Sequence, residues 1–204
     1  MTIRHVLLDA DGVLQRVPGN WYALMEPYVG DRAREFFREA WSEELPMLSG
    51  RGGDYLPVLA AALLRFGVEV PAEQVYAEVW HRMEVDAESV ALVKRLRDAG
   101  YGVHLGTNQE SRRGAYMKSV LGYDDLFDVS CYSYELGVAK PDPGFFVEAA
   151  RLIGAEPAEV LFVDDTEHNV LGARSAGMPA VHWSLDAGHE ALAALLAGHG
   201  VGRA

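Results

Sequence analysis

Two aspartates stand two residues apart in Asp9-Ala10-Asp11-Gly12-Val13-Leu14, directly after the apolar run Val6-Leu7-Leu8. In continuing strand geometry their side chains point to opposite faces. A turn at Gly12 brings both toward one pocket, because glycine enters backbone conformations closed to other residues. A second acidic pair, Asp164-Asp165, follows the strongest apolar run, Val160-Leu161-Phe162-Val163. Adjacent desolvated carboxylates repel each other unless a divalent cation neutralises them. Gly106-Thr107-Asn108 follows Leu105 and offers a hydroxyl and a small polar group to an anion. Lys140-Pro141 offers a point charge on a locally fixed chain. Each motif alone has a plainer reading. They are an Asp-Gly turn, an acidic helix N-cap, a hydroxyl turn before a helix, and a solvated lysine.

The elements that must position these residues alternate. Short apolar runs at Val6–Leu8, Val103–Leu105, Val160–Val163, Ala180–Trp183 and, more weakly, Val129–Tyr132 read as buried parallel strands. Helical stripes lie between them. Val90, Val93 and Leu96 precede Gly100; Phe146, Ala149, Ala150 and Ile153 precede Gly154; a third segment runs from Thr166 to Ala176 before Gly177. This alternation predicts an α/β fold, a Rossmann-like parallel sheet with helices on both faces.

The stretch from Gln15 to Val85 shows helical stripes and no convincing strand. Ala33, Phe36, Phe37, Ala40 and Trp41 form one. Tyr55, Val58, Leu59, Ala62, Leu63 and Phe66 form another, and Tyr76, Val79, Trp80 and Met83 a third. The expected organisation is a core of residues 1–15 and 87–204, with residues 16–86 inserted as an all-helical cap. Three of the four motifs then fall at C-terminal strand ends, and Lys140 falls in the loop after the remaining strand. Ligands bind at that edge of open α/β sheets. Carboxylates, a hydroxyl and a lysine gathered there suit Mg²⁺ and a phosphoryl group.

The bulk composition agrees. The chain has 204 residues, half of them apolar, and a formal charge of −12. An acidic chain without a basic run is a poor partner for nucleic acid or an anionic membrane surface, yet a local cation can still hold a small anion. The single cysteine, Cys131, rules out an internal disulfide and a cysteine-rich metal site. No run approaches a membrane span and the start enters a strand directly, so the expected location is cytoplasmic. The Ala/Leu stripe from Asp186 to Leu196 fits a packing helix or a dimer interface, which leaves monomer and homodimer open.

In this order, Asp-x-Asp-Gly-Val, Thr-Asn, Lys-Pro and Asp-Asp resemble the four motifs of the haloacid dehalogenase-like superfamily. The stretches Glu135–Pro143 and Phe162–Thr166 through Gly177 are especially similar to it. The helical insert resembles the family's cap placed between its first two motifs. Phosphoglycolate-phosphatase-like and sugar-phosphate-phosphatase-like branches look nearest. The resemblance implies hydrolysis of a small phosphorylated substrate with Mg²⁺. Asp9 becomes an aspartyl-phosphate, and Asp11 is the acid and then the base, which requires its pKa to lie above that of Asp9. Thr107 and the Asn108 amide hold phosphoryl oxygens, and Lys140 neutralises charge. Asp9, the Asp11 carbonyl and Asp165 bind the metal, with Asp164 acting through water; which member of the acidic pair is the direct ligand stays open.

A phosphomutase is the alternative. A 2-haloacid dehalogenase fits less well, because that branch resembles Asp-x-Tyr at the first motif. A Schiff-base chemistry is disfavoured by the absence of lysine from Gln15 to Val85. Asn169 stands close to a position where the family often has a further aspartate, implying modest metal affinity. Trp21, Tyr22, Arg51 and Tyr55 are the expected substrate residues. His81 and Arg82 are expected at the surface, and His104, Cys131 and His182 as packed strand residues.

Overall fold

The computed structural model describes residues 2–202. Its strands are β1 (His5–Leu8), β2 (Gln15–Arg16), β3 (Glu84–Val85), β4 (Gly102–Thr107), β5 (Val129–Tyr132), β6 (Val160–Asp164) and β7 (Ala180–His182). Its helices are α1 (Trp21–Val29), α2 (Ala33–Leu48), α3 (Leu56–Arg65), α4 (Ala72–Val79), α5 (Ala87–Asp98), α6 (Ser111–Ser119), the single turns α7 (Tyr123–Leu126) and α8 (Ser133–Leu136), then α9 (Pro143–Ile153), α10 (Glu167–Ser175) and α11 (His189–Gly198). None is long and apolar enough to cross a membrane among the described residues.

Five strands form one parallel sheet in the order β5-β4-β1-β6-β7. The continuous apolar runs reflect burial on both faces. Val6 and Leu8 pack with Val103, Leu105, Leu161 and Val163 on one side, covered by α5, α6, α7 and α11. Leu7 turns to the other side with Val160 and Phe162, under Phe145 and Phe146 of α9 and Val170 of α10. Local chemistry fixes the helix starts. The Asp86 side chain accepts the Ser89 amide at 2.7 Å to open α5, and Asp142, followed by Pro143, accepts the Gly144 amide at 2.8 Å to open α9.

The strand order reverses at β1. The chain steps outward from β1 to β4 and β5, then returns to β6 on the opposite side. Leu8 pairs with both Leu105 and Val163, so Asp9 emerges level with the ends of β4 and β6. That reversal opens a crevice at the carboxyl edge.

Helices α1 to α4 enclose a separate core that includes Met25, Phe36, Phe37, Leu59, Val75 and Trp80. The expected stripes on α2, α3 and α4 are present; three features differ from expectation. The stretch from Gln15 to Val85 does contain strand: Gln15 pairs with Val85 and Arg16 with Glu84 in an antiparallel ribbon. Two-residue strands are too short to show periodicity. Met83, expected on the last helical stripe, lies beyond α4 and packs on the sheet's core instead. Helix α1, absent from the expected stripes, begins where Asn20 accepts the Ala23 amide at 3.0 Å.

Candidate active site

A cavity of about 580 Å³ opens at the carboxyl edge of the sheet. Asp9, Asp11, Thr107, Asn108, Lys140 and Asp165 line it from the sheet side, and Arg16, Val17, Asn20 and Trp21 from the side of the helical segment. The turn after β1 is tight: the Ala10 carbonyl accepts amides from Leu14 at 2.7 Å and Gln15 at 3.0 Å. Gly12 sits at φ +77°, and a β-carbon there would stand 2.2 Å from Asp165 Oδ2. Glycine therefore permits both the turn and the approach of the second acidic pair.

Lys140 is 5% exposed, and its ammonium lies 2.8 Å from Asp9 Oδ1 and 2.7 Å from Asp164 Oδ2. The loop that carries it is held on two sides. The Asn108 side chain accepts the Lys140 amide at 2.9 Å and donates to its carbonyl at 2.8 Å. Gly172 of α10 lets that helix close on the Pro141 carbonyl, which would stand 2.2 Å from a β-carbon there. Asn108 thus acts structurally through its side chain, besides lining the cavity.

Asp164 is fully buried and its oxygens are heavily engaged: by Lys140, by the Thr166 amide at 2.8 Å, and by the Asn169 amide group at 3.0 and 3.1 Å. Asn169, read in the sequence as a weakened metal position, donates to Asp164. Among the described residues the Asp165 side chain accepts only from Thr166 Oγ1, at 3.2 Å, and it borders the cavity. One oxygen from each of Asp9, Asp164 and Asp165 falls within 4.8 Å of the others. Burial pushes the Asp9 pKa up to about 8, with Lys140 pulling it down and Asp164 and Asp11 raising it. Burial, then repulsion from Asp164, raises Asp165 as well. One lysine does not offset this crowding. A hard, oxygen-only, electron-rich set of this kind fits a divalent cation such as Mg²⁺.

Asp11 departs from expectation. Burial raises its pKa, but the Arg113 guanidinium overcomes that and holds it below the ordinary carboxylate value, helped by bonds from Gln15 and Gln109. The predicted ordering, with Asp11 above Asp9, is reversed in this arrangement. Arg113 and Gln109 escaped the sequence reading. Gln109 lies in the loop just after Thr107-Asn108 and Arg113 in the first turn of α6, but a buried arginine beside Arg112 leaves no pattern that separates it from a surface one. Gln15 and Arg16 fall at the expected boundary between core and insert, where the sequence carries no pattern of its own.

Of the predicted substrate residues, Trp21 lines the cavity. Arg51 is exposed and does not line it; its Nε donates to Ser49 Oγ at 3.3 Å. Tyr22 packs on Phe37, Trp41 and Arg34, and Tyr55 is fully buried beside Trp80, so both serve the helical core. His81, expected at the surface, is half-buried and stacked on Tyr116 with ring centroids 4.0 Å apart. Cys131 and His104 are buried as expected, whereas His182 is exposed and bonded to the Asp165 carbonyl at 2.7 Å.

This sheet, with these residues on its edge, defines a class. A model of haloacid dehalogenase-like hydrolases matches residues 3–177, and the chain belongs to that family. Glyceraldehyde 3-phosphate phosphatase of Methanopyrus kandleri is 42% identical over 93 residues, 45% of this chain and 40% of its own. A predicted HAD-like family hydrolase of Porphyromonas gingivalis shares the fold with a TM-score of 0.78 at 22% identity, covering 96% of this chain and 98% of that one. A HAD family enzyme of Bacteroides thetaiotaomicron, solved in complex with magnesium and inorganic phosphate, matches with a TM-score of 0.74 at 22% identity over 88% of this chain and 93% of its own. The matched stretches span half or less of the length of the first curated relatives.

Proposed function

We propose that this chain is a Mg²⁺-dependent phosphatase of small phosphorylated metabolites that forms an aspartyl-phosphate on Asp9. One observation carries the reading: the Lys140 ammonium joins Asp9 to Asp164 beneath a cavity that Asp165 also borders. Asp9 and Asp165 would hold the metal directly, with the Asp11 carbonyl. The bonds already made to Asp164 favour an orienting role for it. When bound, the cation neutralises charge between the nucleophile and the incoming phosphate.

The chain's own groups do the rest. An Asp9 oxygen attacks phosphorus as the bond to the leaving oxygen breaks, and Asp11 gives that oxygen its proton. Lys140, Thr107 and the Asn108 amide hold charge that builds on the phosphoryl oxygens. Water then attacks the phosphorus of the aspartyl-phosphate. Asp11 takes its proton, and Asp9 leaves as a carboxylate with release of inorganic phosphate. Residues 16–86 would form the cap and residues 1–15 and 87–204 the catalytic core. The separate helical core and the single two-stranded ribbon joining it to the sheet support that division.

The test is a hydrolysis screen over sugar phosphates, phosphoglycolate and nucleotides, with Mg²⁺ and after chelation, with Asp9→Asn in parallel. The expected result is Mg²⁺-dependent phosphate release by the wild type alone, with phosphate recovered on Asp9 in quenched protein. Equal release by Asp9→Asn overturns the reading, and an isomerised sugar phosphate without free phosphate makes the chain a mutase.

A further inference from the structure

The Asp11 carboxylate has no free valence. Oδ1 accepts from Arg113 at 2.8 Å and Gln15 at 2.9 Å; Oδ2 accepts from Arg113 at 2.7 Å and Gln109 at 3.0 Å. A carboxylate offers about four lone-pair positions, so four donors occupy it fully. In this arrangement no lone-pair position is left to carry the proton that a leaving oxygen needs. Something must release it.

Arg113 is the main holder, and it is 6% exposed. Its remaining contacts run outward from the catalytic edge. Nε donates to the Trp80 carbonyl at 3.2 Å, at the end of α4. Nη2 also reaches the Met83 sulfur, and Nη1 the Gln109 side chain at 3.0 Å. The guanidinium lies 5.0 Å from the centre of the Trp21 ring, and Trp21 lines the cavity. All five N–H donors of one arginine are thus divided among the edge, the connecting segment and the helical segment. A ligand touching Trp21 stands one side chain from Arg113, whose guanidinium grips Asp11.

We infer that Arg113 is a positioning residue that keeps Asp11 locked until the leaving group of the substrate displaces Trp21 and, with it, the guanidinium. This rests on the reading of Asp11 as the proton donor. It makes turnover depend on the shape of the leaving group: one that fills the space under Trp21 unlocks the acid, and one that leaves it empty does not.

Methyl and benzyl phosphate separate the steps, because both leave as basic alkoxides that need a proton and only the second reaches Trp21. The expected result is a kcat ratio of benzyl to methyl phosphate that falls about tenfold or more in Arg113→Met, a coupling of ordinary allosteric size. Arg113→Lys, which keeps charge but loses the two-point grip, falls between. Trp21→Ala removes the sensing ring without touching Asp11 and is expected to lower the same ratio. A second arm is structural: wild-type crystals soaked with beryllofluoride and Mg²⁺, with and without benzyl alcohol. The inference predicts beryllofluoride on Asp9 in both and, with the alcohol, Arg113 beyond about 4 Å from Asp11, outside hydrogen-bond reach. Labelled Asp9 with the four bonds intact under benzyl alcohol, or an unchanged kcat ratio in both Trp21→Ala and folded Arg113→Lys, overturns it. No turnover of either ester by any form, with Asp9 unlabelled, overturns the phosphatase reading instead.

Discussion

The carboxyl edge of the sheet and the helical segment both bury large side chains, but they bury opposite chemistry. At the edge, Asp9, Lys140, Asp164 and Arg113 are buried charges, each held by partners from separate strands or loops. In the helical segment the interior is aromatic: Trp21, Phe37, Trp41, Tyr55, Tyr76 and Trp80 pack ring on ring. The first arrangement preserves electrostatic strain that chemistry can use, and the second supplies cohesion. Substitutions should therefore separate activity from stability according to the region they strike.

Asp9→Asn is the largest expected effect and the sharpest form of that contrast. Loss of the nucleophile should lower kcat by about 10⁴-fold or more, the scale seen when a covalent residue is removed. Folding should not suffer, because burial already pushes the Asp9 pKa up to about 8 and the neutral amide relieves repulsion from Asp164 and Asp11. Initial rates and a thermal melt on the same sample check both halves. A melting temperature that drops steeply would show that the edge carries stability after all.

Phe36→Ala is the mirror image. Phe36 is fully buried and meets Phe37 and Phe66 edge-on. Truncation should cost about 3–5 kcal/mol by urea unfolding. The fraction still folded should turn over at close to the wild-type rate, since Phe36 borders no catalytic group. Loss of turnover in the folded fraction would mean that the helical core transmits to the site.

Much of this division is legible in the sequence, for reasons that differ by residue. Val6, Leu7 and Leu8 give β1 away because a doubly covered strand is apolar at every position. Asp9 and Asp164 are found because each closes an apolar run and strand ends converge in parallel sheets, whereas Lys140, in the loop before α9, is found only through its place in the order of motifs. Phe36, Phe37 and Ala40 mark a helix by spacing alone. Arg113 is hidden because its role depends on burial, and burial of a charged residue is decided by tertiary packing. Asp11 is visible as an acid, but its pKa order is not, since burial lifts Asp9 to about 8 while an arginine 102 positions away holds Asp11 below the ordinary carboxylate value. Gln15 and Arg16 are hidden for a third reason: a two-residue ribbon carries no period.

Glu44 tests the boundary between the two regions. It lies on α2 in the helical segment and is 9% exposed. Burial raises its pKa from 4.5 to about 8, Glu110 and Asp11 add to the rise, and Arg113 opposes it. Between those two values the unfolded chain has lost the proton that the folded chain keeps. Stability is therefore fullest below the lower value and falls as pH rises toward about 8. Glu44→Gln should flatten this slope and gain about 1–3 kcal/mol over wild type at the alkaline end. Urea unfolding at both ends of the window measures it. Parallel curves for the two proteins would show that Glu44 is solvated and ionised throughout.

The smallest expected effect lies between two arginines of the helical segment. Arg16, on the ribbon strand β2, lines the cavity and has one long contact, 3.8 Å to the exposed Asp186. Arg51 rests on Ser49 in a loop away from the cavity. An exposed charge with no desolvated partner contributes little to stability or to binding. Arg51→Ala should therefore change kcat/KM by less than about twofold, within the ordinary range for surface substitutions. Arg16→Ala, measured beside it, should raise KM for substrates carrying a second anionic group while leaving kcat for methyl phosphate nearly unchanged, because that ester has nothing to offer the guanidinium. If Arg51→Ala raises KM instead and Arg16→Ala does not, the Ser49–Gly53 loop must close over the cavity during turnover, and the boundary between catalytic edge and helical scaffold would have to be redrawn to include it.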